Sequence, residues 1–164
     1  MTDVVLRVNG EERKASVPPE TTLLQLLREH FGLTGSKLGC DVGDCGACTV
    51  IVDGKAINAC LMLAGQADGR EVLTIEGLAT RDRLHPLQRA FEERAALQCG
   101  FCGPGSIMSA KALLDENLEP TVQEIRDALS GNLCRCTGYT KMIDAIQDAA
   151  RELRAEKAAR VAAR

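Results

Sequence analysis

Aromatic side chains are scarce in this sequence: 164 residues include no tryptophan, one tyrosine and three phenylalanines. Any core must therefore be built from Leu, Ile, Val, Ala and Met, and bound cofactors would help so small a core hold together. Histidine is nearly missing too. The two present, His30 and His85, read as ordinary surface or boundary residues, and no side chain offers itself as a substrate base. Positive charge is not in excess: a formal net charge of −3 gives no footprint for nucleic acid or anionic membranes. No run approaches the roughly 20 apolar residues that span a bilayer. Met1 to Arg7 alternates like a strand, unlike the charged region and apolar run of an export signal. A soluble, cytoplasmic chain is the expectation, and a hydrophobic share of 45% argues against disorder.

What the sequence does have is cysteine, eight in two groups: Cys40, Cys45, Cys48 and Cys60, then Cys99, Cys102, Cys134 and Cys136. In a reducing compartment such usage points to metal rather than disulfides. The surroundings of the two groups differ. Around the first, Val4–Val8, Asn9-Gly10 and Lys14–Val17 spell a hairpin, as do Thr49–Val52, Asp53-Gly54 and Lys55–Ile57. Thr22 and Gln25 form a capping box for a helix faced by Leu23, Leu24, Leu26 and Leu27 and ended by Gly32. Val72–Ile75 adds a strand. Around the second group the period is helical: Leu84, Leu87, Ala90 and Phe91; Ile107, Ala110 and Leu114; Val122, Ile125 and Leu129 behind a Thr121–Glu124 box; and Met142, Ile143, Ile146, Ala149, Ala150 and Leu153. These features predict an α+β chain of two domains, a sheet on one helix over 1–78 and four helices over 79–164. The tail, Arg151 to Arg164, reads as a solvated helix extension with pairs such as Glu156–Arg160.

Cys40-Asp41-Val42-Gly43-Asp44-Cys45-Gly46-Ala47-Cys48 is C-x4-C-x2-C with Cys60 downstream, the plant-type [2Fe–2S] spacing. One loop must wrap a compact cluster and aim three sulfurs inward, so Gly39, Gly43 and Gly46 are needed where other residues resist turning. Bare backbone there also lets N–H groups approach the sulfurs. Zinc prefers paired C-x2-C arms. A redox pair at Cys45 and Cys48 would leave Cys40 and Cys60 without purpose.

The second group is two arms, Cys99-Gly100-Phe101-Cys102 and Cys134-Arg135-Cys136, each opening a helix whose N-terminal N–H groups favour thiolates. Spacing alone leaves zinc and iron–sulfur both open here.

Gln98-Cys99-Gly100-Phe101-Cys102-Gly103-Pro104-Gly105, followed by Gly131-Asn132-Leu133-Cys134-Arg135-Cys136-Thr137-Gly138-Tyr139, resembles the small iron–sulfur subunit of the molybdenum hydroxylases, relatives of xanthine dehydrogenase, aldehyde oxidoreductase, carbon monoxide dehydrogenase and 4-hydroxybenzoyl-CoA reductase. The likeness runs from about residue 3 to residue 153 and takes in all eight cysteines. Gly103, where many members carry Ser or Thr, departs from the pattern without touching a ligand. The resemblance implies a β-grasp, plant-type ferredoxin-like domain followed by an all-α four-helix-bundle domain, each with a [2Fe–2S] cluster. It implies a heterotrimer, or its dimer, with a large subunit holding molybdopterin as the cytosine dinucleotide and a medium subunit holding FAD. By the same analogy Gln98, Gly100 and Cys136 lie on the molybdopterin side, and the Gly43 to Gly46 loop lies near the flavin partner. The implied role is a relay of single electrons rather than catalysis. A freestanding two-cluster ferredoxin, a zinc-stabilised domain and a disulfide scaffold are the rival readings.

Overall fold

Why these residues form these elements is mostly local. The computed structural model describes residues 1–163. Strands β1 (Thr2–Val8) and β2 (Glu11–Val17) meet at Asn9 and Gly10, both left-handed with φ of 52° and 85°, the pair of conformations a tight primed turn demands. Asp53 and Gly54, at 48° and 81°, do the same between β3 (Thr49–Val52) and β4 (Lys55–Asn58). The capping box of Thr22 and Gln25 opens α1 (Leu23–Gln25). The chain then widens into a π-helical turn over Leu26–His30, where Phe31 N–H reaches back to the Leu26 carbonyl at 3.1 Å. Gly32, at φ 70°, ends it as expected.

The fifth strand, β5 (Glu71–Leu73), inserts into the middle of the sheet, giving the order β2-β1-β5-β3-β4. It runs parallel to β1 and antiparallel to β3. It is shorter than the sequence predicts: Thr74 N–H turns to the Asn9 side chain at 2.9 Å, and Ile75–Gly77 forms a 3₁₀ turn. One sheet face, with Val4, Leu6, Val8, Val50, Val52 and Val72, closes on Leu23, Leu24, Leu26 and Leu27. Burying each such side chain contributes about 1.5–3 kcal/mol.

The other face of β3 is covered as well. Ile51 joins a second core made by helices α2 (Pro86–Glu93), α3 (Gly103–Glu116), α4 (Val122–Leu129) and α5 (Tyr139–Ala162). Phe91, Met108, Leu114, Ile125, Met142 and Ile146 fill it. Helix α3 lies on β3, α2 packs on α5, and α4 bridges α3 and α5. All four β3 residues are buried as a result, which is why Val50 to Val52 reads as an unbroken apolar run.

Three expectations need correction. Leu84 precedes α2 and is exposed, and Val122 starts α4 facing outward; each sits at an end where the helical stripe has left the core. Glu156 pairs with Arg83 across the helices, because that side chain reaches it from the packed neighbour, rather than with Arg160. His85 is more than a bystander: it caps α2, its Nδ1 accepting the Leu87 N–H at 3.2 Å, and burial, aided by Lys111, lowers its pKa. The final residue of the tail, Arg164, lies outside the described residues. Among the described residues no helix is long and apolar enough to cross a membrane.

Helix α5 is fastened to the α2 region by ion pairs: Arg94 with Asp148, Arg89 with Glu152, and Arg83 with Glu152 and Glu156. The Arg94 guanidinium holds Asp148 below the usual carboxylate range, and Arg83 does the same for Glu156. Folded values below the unfolded ones mean the pairs stabilise the fold above the ordinary carboxylate pKa. That contribution is lost as pH falls through the lowered values. Acidification is therefore expected to speed amide exchange in the outer half of α5 before it does so in β1. Equal acceleration in both, followed by hydrogen exchange, would contradict this.

Candidate metal centres

Three loops carry three cysteines of the first group and the two arms of the second. The first loop is prepared upstream by Arg28, whose guanidinium donates to the carbonyls of Thr34 and Ser36 at 2.8 and 2.7 Å, and by Lys37 N–H, which donates to the Ala47 carbonyl at 3.0 Å. The loop then closes on itself so tightly that a Cβ on Gly39 would stand 2.7 Å from Cys45 Sγ. Cys60 arrives just after β4. In the second centre, Cys102 sits at the N-terminus of α3, and Cys134 and Cys136 precede the N-terminus of α5.

All eight cysteines are free thiols, so the disulfide scaffold is not what the chain forms. Their sulfurs are neighbours two by two, each side chain perturbing the acidity of the other: Cys40 with Cys45 and Cys48 with Cys60, Cys99 with Cys136 and Cys102 with Cys134. In each centre one pair is buried and the other reaches the surface: Cys48, Cys60, Cys102 and Cys134 are buried, while Cys40, Cys45 and Cys136 are half-buried and Cys99 is exposed. Among the described residues no three His, Cys, Asp or Glu side chains converge tightly enough to share one ion. Four sulfurs in two neighbouring pairs supply the two ligands that each iron of a binuclear cluster would need, and the all-sulfur set suits iron–sulfur chemistry.

The surrounding backbone favours negative charge. The N–H groups of Val42 and Cys45 hold the Cys40 thiol down at about 7, and the Cys45 N–H lies 3.4 Å from Cys40 Sγ. For Cys134, burial pushes the thiol up, but the Gly138 N–H, the Cys102 side chain and the N–H groups of Cys136 and Thr137 together more than offset it. Cys48 and Cys102 are different: burial pushes each thiol up to about 12. At neutral pH these inner thiols ionise only against a metal charge.

The two centres are tied together at Cys45 and Gly46. Leu133 N–H donates to the Cys45 carbonyl at 2.9 Å. The buried Asn132 amide donates to the Gly46 carbonyl at 3.0 Å, which also accepts from Thr49 Oγ1 at 2.7 Å. Gly46 has φ 67°, and a Cβ there would stand 2.2 Å from the Gly131 carbonyl. Sequence reasoning assigned Gly43 and Gly46 to the loop around the first cluster but missed this junction. The only trace of it in the sequence is an Asn within a cysteine motif.

The residues expected near molybdopterin gather on one exposed edge. The Gln98 amide donates to the Cys136 carbonyl at 3.0 Å, and Gly100, at φ 81° with open space around it, turns the chain between Cys99 and Cys102. Gln98 thus braces the second loop from within the chain.

Replacing Cys134 by Ser is expected to abolish one of two binuclear signals and loosen the helical half, read by electron paramagnetic resonance and thermal unfolding. Retention of both signals would remove Cys134 from the ligand set. Gly46→Ala, forced into a left-handed conformation against a carbonyl, is expected to lose at least about 1–3 kcal/mol from backbone strain and to disturb both signals; a change confined to one would contradict the junction.

Comparison with known proteins follows the same division. Residues 6–74 match the family described as 2Fe-2S iron-sulfur cluster binding domain, and residues 74–147 the family described as [2Fe-2S] binding domain. The chain is 54% identical over 142 residues to the nicotinate dehydrogenase small FeS subunit of Eubacterium barkeri, covering 87% of this chain and 90% of that one. It is 50% identical over 147 residues to the nicotine 6-hydroxylase small subunit of Paenarthrobacter nicotinovorans, covering 90% and 88%. A chain of quinoline 2-oxidoreductase from Pseudomonas putida 86 superposes with a TM-score of 0.89 at 46% identity, over 92% of this chain and 94% of that one.

Proposed function

The chain belongs to the small [2Fe–2S] subunits of the molybdenum hydroxylases, and we propose from that premise how its own residues carry the family's electron-transfer role. It is a non-catalytic subunit that relays electrons between the molybdopterin site of a large subunit and FAD or another acceptor. When bound, its two clusters each take up and release one electron at a time.

Cys40, Cys45, Cys48 and Cys60 hold the first cluster and Cys99, Cys102, Cys134 and Cys136 the second. The observation that carries this is the pairing of sulfurs two by two, one pair inward and one outward, at both centres. The outward pairs are the doors. Cys40 and Cys45 open beside exposed Val42 and Leu61, with Gly43 and Gly46 in the loop, toward the flavin subunit. Cys99 and Cys136 open beside Gln98 and Gly100 toward molybdopterin, taken as the cytosine dinucleotide. The inward pairs keep water from the reduced centres, and the Gly46 junction fixes the separation between them.

The finer architecture follows the same reading: a β-grasp domain over 1–78 and a four-helix bundle over 79–164, in a cytoplasmic heterotrimer or its dimer. A freestanding ferredoxin is not favoured, since the relatives are named as subunits.

Purification from the native host tests the proposal. Molybdenum- and flavin-bearing subunits should accompany the chain, with iron and acid-labile sulfide in equal amounts and two distinct binuclear signals on dithionite reduction. Zinc in place of iron, or a lone monomer holding both clusters, would overturn it.

A further inference from the structure

One hydroxyl near the second centre is unexplained by the ligand set. Tyr139, the single tyrosine of the chain, stands at the first position of α5. Its Oη accepts the N–H of Cys134 at 2.6 Å. That N–H belongs to a buried residue, and the bond to Tyr139 satisfies it. The ring itself is 36% exposed and shares the wall of a cavity with Leu129, Asn132 and Ile143. The bond therefore spans the whole turn from Cys134 to the start of α5.

That turn has an unusual shape. Thr137 is left-handed at φ 60° and turns its N–H back to the Cys134 carbonyl at 3.4 Å, so the chain folds over Cys134 on its way into α5. The N–H groups of Gly138, Cys136 and Thr137 help lower that thiol's pKa, favouring negative charge there. Each end of this turn is pinned. The Cys136 carbonyl accepts from Gln98 at 3.0 Å and from Thr137 Oγ1 at 2.7 Å. Gly138 lies so close to the chain that a Cβ would stand 2.7 Å from the Ala96 carbonyl. Cys134 itself is held from the other side by the Tyr139 hydroxyl.

We propose that Tyr139 is a positioning residue for the second cluster: its hydroxyl clamps the Cys134 peptide so that the N–H groups of residues 136–138 stay against Cys134 Sγ and raise the reduction potential of that centre alone. The proposal rests on the ligand reading above. Hydrogen bonds to a ligating sulfur stabilise the added electron, so loosening them moves the potential negative. Without the hydroxyl the buried Cys134 N–H lacks its acceptor, and an unpaired buried donor drives local rearrangement. Tyr139→Phe keeps the ring and removes only the oxygen.

The test is a redox titration of the full chain carrying both clusters, with each reduced-state paramagnetic signal followed separately. In Tyr139→Phe, one signal should shift its potential negative and alter its g-values while the other stays fixed and the iron content is unchanged. Unchanged potentials at full iron content, a positive shift, or equal shifts of both signals overturn the proposal. Because Tyr139 is the only tyrosine, growth on 3-fluorotyrosine changes this one side chain and weakens its oxygen as an acceptor. It should give a smaller negative shift of the same signal, and it decides the matter if the Phe variant fails to retain the second cluster. Absence of two signals from the unsubstituted chain would overturn the cluster reading itself, a failure distinct from unshifted potentials.

Discussion

Everything in this molecule turns on how closely two backbones meet at Gly46. Its carbonyl accepts from Thr49 and Asn132, its Cα faces the Gly131 carbonyl, and Gly105 of α3 packs against the Gly46 carbonyl closely enough that a Cβ there would stand 2.1 Å away. Gly46 and Gly105 remove the side chains that would otherwise separate sheet, helix and loop. Two sulfur-lined centres are thereby held in fixed relation by one main-chain bond, from Leu133 N–H to the Cys45 carbonyl, and by two buried side-chain donors on the Gly46 carbonyl.

The pairing of buried with surface sulfurs follows from the same packing. A cluster wholly inside would be insulated from its partners, and one wholly outside would be wet and exposed to oxidation. Here the inner thiols lie against the core and the outer ones against solvent or a partner, so each centre bridges the interior and the surface. Backbone N–H groups help hold Cys40, Cys99 and Cys134 toward the thiolate, since dipoles fixed by the fold cost little to desolvate compared with a buried Lys or Arg.

Much of this was readable in advance. Hairpins at Asn9-Gly10 and Asp53-Gly54, capping boxes at Thr22 and Thr121, and the cysteine spacings are all encoded within a few residues, where local chemistry decides the outcome. The parallel pairing of β1 with β5, the widened turn after α1, and the clasp of α2 on α5 were not, because each depends on segments far apart meeting in space. Asn132 is the instructive case. An amide in a cysteine-rich loop could as well cap a helix or face water, and only the arrival of Gly46 beside it gives it one function. Leu84 and Val122 show the opposite limit: a helical stripe extends past the point where the core ends.

Strand β3 belongs to two interiors at once, with Val50 and Val52 in one and Ile51 in the other. A strand shared in this way cannot be removed from either side without exposing apolar surface on both. Melting should accordingly be a single cooperative event, and a fragment ending near the middle of the chain would present a sticky, half-covered sheet. Folding of this polypeptide therefore couples its two halves through the one strand they share.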